Sequence, residues 1–63
     1  MSVQSIRAGD LVKMNQGYSV PGIVLEIFTL GSMARWATIL WTDGHRGSEK
    51  VRDLKLLSDR VEI

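Results

Sequence analysis

Turn residues punctuate this chain about every ten residues, the spacing that marks an all-β domain. They fall at Gly9-Asp10, Pro21-Gly22, Gly31-Ser32, Asp43-Gly44 and Arg52-Asp53. The runs between them are short enough for strands, and the run over 23–30 is rich in β-branched and aromatic residues. With 63 residues, one small domain is expected over 1–63, its core over about 9–58. A domain this small buries only about 60% of the surface its unfolded chain exposes. There is no cysteine, so neither a disulfide framework nor a cysteine zinc site can make up the deficit. Ordinary apolar side chains must build the core, helped where needed by self-association.

The strands follow from the punctuation. Leu11-Val12-Lys13-Met14 is the first, and residues 1–8 read as a polar lead-in. Residues 15–22 form a loop holding Gly17, Pro21 and Gly22; proline cannot donate to a central ladder. A second strand covers 23–30, framed by Pro21-Gly22 and Gly31-Ser32, and a third covers 33–41. Asp43-Gly44 predicts a tight type I′ hairpin, with positive φ at both central positions. The partner strand is expected over 45–51, a tight turn over 52–54, a last strand over 55–58 and a polar tail over 59–63. Five such strands cannot make a sandwich. They can curl into an all-β, SH3-like five-stranded partly open barrel, which reduces the exposed edges.

Alternation along the third strand separates Ala37, Ile39 and Trp41 from Trp36, Thr38 and Leu40. The first set is assigned to the core, with Trp41 plugging the barrel end. Val12, Val24, Ile27, Val51, Leu54 and Leu56 are expected to complete it. Trp36 and Leu40 then point outward, near Met33 or Phe28. Either they form a contact surface, or the lead-in or the tail folds over them.

The segments Gly9-Asp10-Leu11-Val12, Pro21-Gly22-Ile23-Val24-Leu25-Glu26-Ile27, Ala37-Thr38-Ile39-Leu40-Trp41-Thr42-Asp43-Gly44 and Asp53-Leu54-Lys55-Leu56-Leu57 resemble a group of small SH3-like proteins. Many of these are encoded by tailed bacteriophages, marine ones among them. The resemblance covers residues 9–57 and implies a phage-encoded protein acting in the host cytoplasm or in the virion. Residues 9–27 are also similar to the KOW motif of ribosomal and transcription-elongation proteins, through Gly9-Asp10 and the pair Gly22 and Val24. The loop over 15–20 lacks the basic residues typical of that motif. In length and layout the chain is similar to the type II dihydrofolate reductases as well. Their Val-Gln-Ile-Tyr pore segment is unmatched by Gly47-Ser48-Glu49-Lys50-Val51, so folate reduction is not implied. That family does imply that such a barrel can oligomerise through its outer strand faces.

Catalytic signals are weak. His45 is the only histidine and lacks the partners of a metal site. Asp43, His45 and Ser48 can be drawn as a triad, yet one small hairpin offers no oxyanion hole. Glu26, in an apolar strand, is expected to face water. Glu49 and Arg46 are a candidate pair across the sheet, of little consequence if exposed. Tyr18 and Trp36 could form a two-ring platform, set against Tyr18 as a loop anchor. Eight basic and seven acidic residues give +1 at neutral pH, which by itself signals neither nucleic acid nor an anionic membrane.

The resulting expectation is a non-enzymatic interaction module without catalytic residues, cofactor, metal or membrane partner. It would act through protein–protein contact, self-association included, with Tyr18, Trp36 and Leu40 as apolar anchors. The alternative is a KOW-like nucleic-acid or ribonucleoprotein binder using Arg35, Arg46, Lys50 and Arg52, of which the last three alternate in step along the chain.

Overall fold

Each run between turns forms a strand, the polar Arg46–Lys50 included. The computed structural model describes residues 6–18, 20–31 and 34–58. Strand β1 spans Leu11–Met14, β2 Gly22–Leu30, β3 Ala34–Trp41, β4 Arg46–Lys50 and β5 Leu54–Ser58, with a 3-10 turn at Val51–Asp53 before β5. All strand pairs are antiparallel, in the order β4-β3-β2-β1-β5. The edge strands β4 and β5 do not pair, so the sheet curls without closing. Strand, loop, three-stranded meander, one helical turn and short strand make up the SH3-like barrel expected from the turn spacing. Among the described residues no helix is long and apolar enough to cross a membrane.

The core is the inner face of that sheet. Val12, Val24, Ala37, Ile39, Trp41 and Leu54 are buried, and Ile27, Val51 and Leu56 pack against them half-buried. Val24 and Ile27 lie three positions apart and could not share a face of a regular strand. A bulge at Leu25 reconciles them. Val24 pairs with Ile39 and Glu26 with Thr38, leaving Leu25 without a partner, and Ile27 then opposes Ala37. The extra residue turns Ile27 inward and Glu26 outward, where Glu26 is exposed as expected.

The β3–β4 hairpin differs from expectation. Among the described residues none other than glycine has positive φ, so Asp43 does not adopt the conformation a type I′ turn requires. Instead the Gly44 N–H donates to the Trp41 carbonyl at 2.9 Å, Gly44 takes φ 97°, and the Trp41 N–H donates to the His45 carbonyl at 2.8 Å. This is a three-residue loop over 42–44 that ends in a left-handed glycine. The strand expected over 45–51 ends at Lys50, and Val51 opens the 3-10 turn in place of the turn expected over 52–54.

The lead-in is less polar in role than in composition. Ile6 is buried and belongs to the core. A turn holds it there. The Asp10 N–H donates to the Arg7 carbonyl at 3.1 Å, and the Arg7 N–H donates to Asp10 Oδ2 at 2.8 Å. Gly9, at φ 94°, lets the chain reverse, and its N–H donates to the Val24 carbonyl. Asp10 is thereby buried with its hydrogen bonds satisfied. The tail over 59–63, residues 1–5 of the lead-in, Ser32 of the expected β2–β3 turn and Met33, expected to open the third strand, lie outside the described residues.

Candidate interaction surface

The outward face of the meander is ordered by register. Ile23 opposes Leu40 and Phe28 opposes Trp36 across β2 and β3, and Leu30 opposes Ala34 at their far ends. On the other side of β3, Leu40 faces Arg46, Thr38 faces Ser48 and Trp36 faces Lys50. Two apolar pairs thus flank a polar row of Glu26, Thr38 and Ser48, and two cations line the β4 edge. Leu40 is 38% exposed and Leu30 52%, while Trp36, Phe28 and Ile23 are half-buried. Lys50 Nζ lies 5.9 Å from the centroid of the Trp36 ring, a cation–π contact on this face.

Tyr18 is elsewhere. It stands on the β1–β2 loop and packs against Trp41, at the opposite end of β3 from Trp36. Trp36 and Trp41 are five residues apart, about 16 Å along a strand. The two-ring platform of Tyr18 and Trp36 therefore does not form, and Tyr18 anchors its loop. Its hydroxyl donates to Asp43 Oδ2 and lies 3.3 Å from His45 Nδ1. His45 Nδ1 is 3.1 Å from Asp43 Oδ2, and the His45 N–H donates to Asp43 Oδ1 at 3.1 Å. The Tyr18 hydroxyl and the His45 backbone N–H hold the Asp43 carboxyl below its ordinary range. In return, the bond to Asp43 keeps the Tyr18 phenol above its own.

This cluster clips the β1–β2 loop to the β3–β4 hairpin. It contains the Asp43 and His45 of the expected triad but not Ser48, which sits opposite Thr38 on the outward face. Among the described residues no group of three histidine or acidic side chains is placed to share a metal ion. Glu49 and Arg46 line a depression with Met14, Tyr18, Trp41 and His45, and no ion pair between them is present.

The four candidate cations divide. Arg46 lies beside Tyr18 and His45, whereas Arg35, Lys50 and Arg52 converge at the other end of the meander, around a depression of about 410 Å³ lined also by Ala34 and Val51. Arg35 comes from the inward-facing register of β3, opposite Thr29, and its Nη2 donates to the Ile6 carbonyl at 3.2 Å. Sequence periodicity grouped Arg46, Lys50 and Arg52. It missed that Arg52, on the 3-10 turn, lines one depression with Arg35.

The fold defines a small SH3-like barrel whose described outer face carries two apolar pairs about a polar row. No family model, curated protein or solved structure matches the chain.

Proposed function

We propose that this chain is a non-enzymatic interaction module that acts through protein–protein contact, with a second copy of itself as the simplest partner. The supporting observation is the pairing of Phe28 with Trp36 and of Ile23 with Leu40 on the outward face. These pairs form an apolar surface on a domain too small to hide all its hydrophobic area. The polar row between them and the cations on β4 supply a register for a partner. The resemblance to small SH3-like phage proteins supports a phage-encoded origin, with action in the host cytoplasm or the virion.

Light scattering coupled to size exclusion, at low and high salt, tests the reading. An oligomer that persists at high salt is expected, because apolar contacts are not screened. Leu40→Asp or Trp36→Ala is expected to reduce it to monomer. A monomer at every concentration, or variants that assemble like the parent, would sink the self-association reading.

A further inference from the structure

We propose that the depression between the start of β3 and the 3-10 turn binds the phosphate backbone of a single-stranded nucleic acid. Three elements each contribute one cation: Arg35 from β3, Lys50 from the end of β4 and Arg52 from the 3-10 turn. Among the described residues no carboxylate forms an ion pair with any of the three. The chain as a whole carries only +1, so this convergence is local and not a by-product of a basic composition.

The site is braced before any ligand arrives. Arg35 is held by its bond to the Ile6 carbonyl, and a guanidinium keeps further donors for an anion. The 3-10 turn is tied to the end of β1. The Asn15 N–H donates to the Asp53 carbonyl at 2.9 Å, and Asn15 Nδ2 donates to the Arg52 carbonyl at 3.3 Å. A guanidinium and a backbone turn fixed in advance lose less entropy on binding.

The neighbouring indole decides between anions. Lys50 lines the depression and its Nζ lies 5.9 Å from the centroid of the half-buried Trp36 ring, so an aromatic side chain stands next to the cationic depression without lining it. Single-stranded nucleic acids are held by this combination, a cationic groove for phosphate and an aromatic plane for a base. An acidic peptide would use the charges and leave the indole idle. A duplex presents no free base face, and one depression with three cations is small for it.

The test is fluorescence anisotropy with a short labelled oligodeoxythymidine, titrated from about 50 mM to about 200 mM salt. Three phosphate contacts predict a log–log slope of about −2, at about 0.7 per contact. The double variant Lys50→Gln/Arg52→Gln is expected to weaken binding at least about tenfold at low salt and to flatten the slope by about 1.4. Arg46→Gln, at the other end of the barrel, is expected to change neither, and tryptophan emission, to which Trp36 and Trp41 both contribute, is expected to respond on saturation. Any of three results overturns the proposal: no binding at low salt, equal losses in Arg46→Gln and the double variant, or displacement of the oligonucleotide by polyglutamate at equal charge concentration. The last would assign the site to acidic peptides.

Discussion

Tyr18 meets Trp41 edge-on, with ring centroids 5.2 Å apart and planes at 82°. The contact joins the β1–β2 loop to the residue that closes the core at that end. It also removes Tyr18 from the outward face, where Trp36 and Leu40 stand. Edge-on packing uses the ring and the clip to Asp43 uses the hydroxyl, so two substitutions separate them. Tyr18→Phe keeps the ring contact and should lower the melting temperature less than Tyr18→Ala. Thermal unfolding followed by circular dichroism measures both; equal losses would mean that the hydroxyl carries the anchoring.

The clip has a defined pH range. Asp43 titrates below its ordinary 3.8 in the folded chain, so its contribution is present above 3.8 and fades as pH falls through the folded value. Tyr18 titrates above its ordinary 10.0, so its contribution is complete below 10.0 and fades as pH rises through the folded value. The expected result is an ultraviolet titration of the single tyrosine with its midpoint above 10.0. Asp43→Asn should lower that midpoint toward the ordinary value, since the carboxylate is the largest cause of the rise.

Gly22 has no room for a side chain. A methyl group there would lie 2.6 Å from both Ile39 Cγ2 and Trp41 Cε3 and 3.1 Å from the Leu40 carbonyl oxygen. Gly22→Ala should cost about 1–3 kcal/mol by overpacking. Gly47 supplies the contrast, since a methyl group there meets nothing within 4 Å. Gly47→Ala should be neutral or stabilising by up to about 1 kcal/mol, through the unfolded state. Denaturant midpoints of the two variants should move apart; a common shift would contradict the steric account.

Ile6 is 2% exposed although it stands in a polar segment. Ile6→Ala should cost about 2–5 kcal/mol. A chain of this length has about 3–9 kcal/mol in total, so a large unfolded fraction is expected at ambient temperature. Amide hydrogen exchange would show it as lost protection in Val24, whose N–H donates to the Asp10 carbonyl just beyond Ile6.

Turn chemistry and alternation are local properties, and the sequence carried them. Glycine and proline placed the strand ends within a residue or two, and period-two alternation put Ala37, Ile39 and Trp41 inside and Trp36, Thr38 and Leu40 outside. The type I′ expectation failed because Asp43-Gly44 also suits a three-residue loop, in which only the glycine needs positive φ. Tertiary structure decided everything that depends on which strands meet. The Leu25 bulge, the burial of Ile6, the Tyr18 contact with Trp41 and the convergence of Arg35 with Lys50 and Arg52 join residues distant in the chain. Their positions follow from pairing register and sheet curl, which adjacent residues do not encode.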